Sequence, residues 1–150
     1  MALLVALPAM AQDLKKGFAA YQRGDYATAL REWEPLAVKG NAKAQNNLGA
    51  IYRKGYGVPQ DYGEAAKWYA KAAAQGNANA QYSLGLMHFR GHGVVMDFVL
   101  AHLWFSLSAA GGHKLGLGAR DLAATRMTGP ETARAHKLAR EWRAKHPKKK

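Results

Sequence analysis

The sequence predicts an all-α solenoid of about four helical hairpins, and three observations carry that reading. The first is an internal repeat: residues 42–77 and 78–113 align without a gap. Leu48, Gly49, Asp61 and Trp68 stand opposite Leu84, Gly85, Asp97 and Trp104 in that alignment, with ten further identities. A period between about 20 and 50 residues marks stacked units, none of which can bury its apolar face alone. The second is helical spacing within each unit: Ala44, Leu48, Ile51 and Tyr52 form one apolar face, and Ala65, Trp68, Tyr69, Ala72 and Ala73 form another. The third is the punctuation between those faces, Gly55-Tyr56-Gly57-Val58-Pro59-Gln60-Asp61. Its glycines accept positive φ, Pro59 stops continuation, and Asp61 stands at an N-cap with Glu64 in capping-box position.

Met1–Ala11 reads MALLVALPAMA, an apolar run ending in the small-residue pattern of a signal-peptidase site. It lacks a charged leading region, and it is far shorter than the ~20 residues that span a bilayer. The expectation is the remnant of a secretory signal whose true start lies upstream, and hence a periplasmic or secreted protein. No transmembrane segment is expected. The chain has no cysteine, which excludes a disulfide framework.

Residues 12–41 are predicted to form an N-terminal hairpin. Gly17, Tyr21, Gly24-Asp25-Tyr26, Ala29 and Trp33 follow a tetratricopeptide-like pattern, with Asp25 as cap of its second helix. Residues 42–77 and 78–113 are the two full units, in which Gly76 ends one helix and Asn77 caps the next. Bulk at Trp68 and Trp104 is expected to dominate the packing between units. Residues 114–145 leave the register, and their Thr128-Gly129-Pro130-Glu131 is a helix start. They are expected to form a capping hairpin that closes the stack. Residues 146–150 are a basic tail.

Charge is uneven. Residues 114–150 hold eleven basic side chains against three acidic, which is +8 of the net +12. Such a patch attracts anionic polymer or lipid weakly, or simply solubilises the end of the stack. Aromatic interleaving is absent there apart from Trp142, so specific nucleic-acid binding is not expected.

The pattern Ala-x-x-x-Leu-Gly-x-x-Tyr, Gly-x-Gly-Val, Asp, Ala, Trp-Tyr, Ala-Ala, Gly resembles the Sel-1-like repeat, a relative of the tetratricopeptide repeat. Residues 42–77 match it closely, and residues 78–113 depart at His88, Phe105 and Ser108. The resemblance implies a right-handed α-α superhelix that serves as an adaptor, often exported in bacteria. Cysteine-rich relatives linked to β-lactam chemistry carry paired cysteines missing here, so that activity is not carried over.

Such a stack would line its concave groove with the first helix of each unit. Lys43, Asn46, Ala50 and Arg53 would face that groove, with Asn79, Tyr82, Leu86 and Phe89 as counterparts. The candidate partner-binding residues are therefore Lys43, Asn46, Arg53, Asn79, Tyr82 and Phe89, an aromatic pair among polar donors. Packing of Tyr82 and Phe89 on the neighbouring hairpin is the alternative. His88 and His92 have the spacing of helical metal ligands but no third ligand in position, so structural roles are expected and no metal or cofactor is. Asp25, Asp61 and Asp97 repeat once per unit, which suits a capping role and not a single catalytic site. Ser83, Ser106 and Ser108 lack a nucleophile elbow, and neither glycine loop continues as a phosphate loop. The expected function is a non-catalytic scaffold that binds a peptide or partner domain. The alternative is a cell-envelope factor whose basic C-terminal cap binds anionic wall polymer or lipid.

Overall fold

A computed structural model describes residues 13–147; the expected signal remnant and Lys148–Lys150 lie outside the described residues. Among these residues there are eight helices and no strand. They are α1 (Leu14–Gln22), α2 (Tyr26–Val38), α3 (Ala42–Lys54), α4 (Tyr62–Ala74), α5 (Ala78–Arg90), α6 (Phe98–Ala110), α7 (Gly116–Ala124) and α8 (Gly129–Lys145). The pairs α1–α2, α3–α4 and α5–α6 pack as hairpins, and α2 on α3 and α4 on α5 join them in chain order. The fold is an all-α repeat solenoid.

Helix starts follow the capping residues. Asp25, Asp61 and Asp97 each accept a hydrogen bond from the backbone N–H three residues on, at 3.1, 2.9 and 2.9 Å. Asn41 and Asn77 do the same for α3 and α5. A cap of this kind contributes ~1 kcal/mol. The Asp61/Glu64 pair is only half a capping box, because the Glu64 carboxylate turns away to Lys67 at 3.2 Å. Thr128 and Glu131 complete the reciprocal box at the start of α8.

Within each hairpin a glycine on the first helix receives an aromatic ring from the second. A Cβ added at Gly49 would lie 2.6 Å from the Tyr69 ring, and one at Gly85 would lie 2.7 Å from the Phe105 ring. Gly17 stands in the same relation to Trp33. Trp33, Tyr69 and Phe105 are the largest fully buried side chains. Trp68 and Trp104, expected to supply the packing bulk, are only half-buried. Each packs on a cluster shared between its own first helix and the preceding second helix, Trp68 on that of Leu48 and Ile51 with Trp33 and Ala37, Trp104 on that of Leu84 and Met87 with Tyr69 and Ala73. The tryptophans thus pack on corresponding clusters one unit apart, Trp104 meeting Trp142 of α8 as well, while the glycine-seated rings fill the hairpins.

Two buried glutamines tie unit to unit. Gln45 Nε2 donates to the Ala37 carbonyl at 3.0 Å, and Gln81 Nε2 donates to the Ala73 carbonyl at 3.2 Å. Each adds a second donor to an end carbonyl of the preceding helix, Ala37 already accepting from the Gly40 N–H and Ala73 from the Gly76 N–H, both at 3.0 Å.

The C-terminal pair departs from the expected capping hairpin. α7 and α8 each pack on α6 and make little contact with one another. The reason lies in α6. Where α4 carries Glu64, Lys67 and Lys71, α6 carries Leu100, Leu103 and Leu107. That leucine stripe is covered by Leu138, Ala139 and Trp142 of α8. A different face of α6, with Ala101 and Phe105, meets α5 and α7. The stack is therefore three hairpins plus two helices, each laid on a different face of α6.

Candidate functional site

The first helices α1, α3 and α5, with α7 beyond them, line a series of clefts. One, of about 410 Å³, is bounded by Leu14, Lys15 and Phe18 of α1, Lys43, Asn46 and Asn47 of α3, and Asn79 of α5. A second, of about 210 Å³, lies between Arg53 and Tyr62 on one side and Tyr82, Ser83, Leu86 and Arg90 on the other. A third, of about 430 Å³, runs from Tyr82, Leu86, Phe89 and Arg90 to Lys114, Leu115 and Leu122. Tyr82, Leu86 and Arg90 belong to both of the last two. Asn79 in the first cleft is one helical turn from Tyr82, so the series continues along one side of the stack.

The six residues expected to form the groove are distributed along it. Lys43, Asn46 and Asn79 meet in the first cleft, Arg53 faces Tyr82 across the second, and Phe89 joins Tyr82 in the third. Tyr82 and Phe89 also pack. The Tyr82 ring stacks on His113 with centroids 4.2 Å apart, and Phe89 meets Phe98 edge-on at 5.3 Å. Both are half-buried, so they shape the groove wall while holding α5 against its neighbours.

Three apolar residues in the clefts escaped the sequence reading. Phe18 is 51% exposed at one end of the series, and Leu115 and Leu122 are 60% and 53% exposed at the other. All three lie in the flanking segments, where the repeat pattern is weakest. Among the described residues the side chains of Asn46, Asn47 and Asn79 make no hydrogen bond, and Lys15, Lys43, Arg53, Arg90 and Lys114 form no ion pair. Arg53 Nε donates only to the Tyr69 hydroxyl, at 3.4 Å.

The histidines do separate work. His88, at the place of Tyr52, sits 3.4 Å from the Val95 carbonyl, and burial pushes its imidazole below the usual pKa. His92 stacks on Tyr62. His102 is buried beside His136, and desolvation first, then His136 and Arg120, lower its pKa. The basic cap forms its own pocket of about 490 Å³ between α6, α7 and α8, lined by Arg120, His136, Arg140 and Arg143. Among the described residues no helix is long and apolar enough to cross a membrane.

The Sel1 repeat family model matches residues 42–77 and 78–113, the two units that share the glycine-seated ring and the capping aspartate. The chain is a Sel1-like repeat protein. It is similar to the crystal structure of c5321, a protective antigen of uropathogenic Escherichia coli strains with an SLR fold, at 30% identity and a TM-score of 0.82. It is also similar to a Sel1 repeat protein from Oxalobacter formigenes, at 28% identity and a TM-score of 0.72. Each likeness covers 87% of this chain, which spans 29% of the first structure and 56% of the second. No curated protein matches the sequence. The Sel1 repeat fold is generally a scaffold for protein–protein interaction.

Proposed function

We propose that this Sel1-like chain is a non-catalytic adaptor that holds a peptide or partner domain in the groove lined by α1, α3, α5 and α7. The observation that supports it best is the surface of that groove. Exposed Phe18, Leu115 and Leu122 stand at its two ends, with free amides and free cations between them. Apolar anchors ringed by polar donors are the composition of a protein interface. The test is affinity capture from the native compartment with the intact chain and with Phe18→Ser and Leu122→Ser. Both variants alter exposed side chains and leave the helices intact. Loss of the captured partner in both supports the groove; retention in both rejects it. A periplasmic or secreted location is part of the proposal and rests on the apolar run 1–11; sequencing the mature N-terminus tests it.

A second reading is supported by the pocket of Arg120, His136, Arg140 and Arg143. In it the cap attracts anionic wall polymer or lipid, with strong salt dependence. Binding of such a polymer that disappears in Arg140→Glu/Arg143→Glu and survives Phe18→Ser would favour it over the groove.

A further inference from the structure

We infer that the segment held in the groove is extended and acidic, with an apolar side chain near each end. The inference deepens the groove reading and rests on it.

Charge carries the argument. Lys15 and Lys43 line the first cleft, Arg53 and Arg90 the second, and Arg90 and Lys114 the third, while no Asp or Glu lines any of them. The acids that could neutralise these cations are engaged elsewhere. The chain has 10 acidic residues. Asp13, Asp25, Asp61 and Asp97 cap helices. Glu32 holds Lys16, Glu64 holds Lys67, Asp121 holds Arg120 and Glu141 faces Lys137. Glu131 closes the box with Thr128. Glu34, the remaining one, is on α2 and lines none of the clefts. The groove thus presents one sign of charge along its length, and a low-dielectric cleft of one sign focuses attraction on a segment of the other.

The polar and apolar groups set the rest of the description. The free amides of Asn46, Asn47 and Asn79 come from two successive units in one cleft. Each offers a donor and an acceptor, which is what the backbone of an extended chain requires when it leaves water. Phe18 at one end and Leu115 with Leu122 at the other supply apolar seats. The basic helix α8 is on another face of α6, so the charge of the groove is separable from the charge of the cap.

The experiment uses the intact chain and three sets of fluorescent peptides of equal length, each with a Leu near one end and a Phe near the other. One set carries Asp and Glu between them, one Asn and Gln, one Lys and Arg. Binding is read by anisotropy at low and at near-physiological salt. The expected result is that the acidic set binds best and weakens with salt. Lys43→Glu, Arg53→Glu and Arg90→Glu each reduce its affinity by about tenfold, while Arg140→Glu/Arg143→Glu changes it by less than about threefold. All these residues are exposed, and circular dichroism confirms that the variants fold. Neutral or basic peptides that bind at least as tightly, and are lost in Phe18→Ser and Leu122→Ser, would overturn the acidic class while leaving the groove standing. Acidic peptides insensitive to the groove substitutions and lost on reversing the cap would overturn the groove for this ligand as well.

Discussion

The Tyr62 ring lies flat on the His92 ring with centroids 4.7 Å apart, just as Tyr26 lies on Tyr56 at 4.5 Å one unit earlier. In each pair the loop of one unit rests on the first residue of the preceding second helix. The loops after α3 and α5 are therefore contact surfaces between units as well as turns. Their central glycines fit this closely. Gly57 (φ 72°) leaves 2.8 Å between an added Cβ and Tyr26 Cβ, and Gly93 (φ 71°) sits against the Tyr62 backbone.

Gly93 and Gly24 separate backbone strain from contact. Gly24 also has positive φ, 78°, but an added Cβ there would meet nothing. Gly24→Ala is expected to cost about 1 kcal/mol of stability, the ordinary price of a left-handed residue. Gly93→Ala adds a clash with backbone that has no room to move, and is expected to cost about 1–3 kcal/mol more. Chemical denaturation of both variants checks the difference; equal losses would mean that the loop does not bear on Tyr62.

The two buried glutamines are not equivalent. Besides reaching Ala37, Gln45 accepts through Oε1 from Gln75 Nε2 at 2.8 Å, and Gln75 also donates to the Gly40 carbonyl. In the next unit Gly111 stands in the place of Gln75, so Gln81 has no such donor. Gln45→Leu and Gln81→Leu each remove one bond to a carbonyl that keeps its turn N–H donor, Gly40 or Gly76, at about 0.5–1.5 kcal/mol. Gln45→Leu should cost more, because it also leaves the Gln75 amide short of an acceptor. Melting curves of the two variants compare them directly.

Docking of α8 depends on the leucines of α6. Leu103 is 6% exposed and Leu107 is 4% exposed, both under α8, where their counterparts Lys67 and Lys71 face solvent. Leu103→Lys/Leu107→Lys should release α8 while leaving α1–α5 folded. Hydrogen exchange over residues 129–145 should rise sharply, with little change in α3 and α4. Uniform deprotection of the chain would show instead that α8 is integral to the stack.

His102 gives the fold a pH dependence of known sign. Burial, with His136 and Arg120 nearby, holds its imidazole below the ordinary value, and Asp121 opposes them weakly. As pH falls through the ordinary imidazole range, the unfolded chain gains a proton that the native chain resists. Stability is full above that range and is lost below it. His88 and His113 shift in the same direction through burial. The melting temperature should therefore drop between about pH 7.5 and pH 5.5, and the drop should be smaller in His102→Ala, which restores the residue at position 66 of the first unit. An equal drop in both proteins would assign the dependence to other groups.

The units themselves were legible because their cues are local. The spacing of Ala44, Leu48 and Ile51, the aspartates and asparagines before each helix, and the Gly-x-Gly loops act within one or two turns of chain. Seating of Tyr69 on Gly49 and Phe105 on Gly85 joins residues on two different helices, so the sequence showed small and large positions without showing which met. The C-terminal arrangement was less legible for a physical reason. With Leu100, Leu103 and Leu107 added to Ala101 and Phe105, α6 is apolar on nearly every side, and a helix without a polar stripe gives no direction for its neighbours. Comparison of the two units at Glu64/Leu100, Lys67/Leu103 and Lys71/Leu107 was the available clue. The middle of the groove followed from the repeat, through Asn46, Arg53, Asn79 and Tyr82. Its ends at Phe18, Leu115 and Leu122 lie in segments that repeat poorly, so no alignment placed them on that side.

The most direct test of the account places a photoreactive side chain at one of two positions, eight residues apart in the chain but on different helices and different faces. Position 79 lies in the first cleft, and position 71 lies on the exposed outer face of α4. Irradiation in the native compartment should yield one specific covalent adduct from position 79 and none from position 71. Adduct formation from position 71 alone would contradict the groove as the surface that this Sel1-like protein offers to its partner.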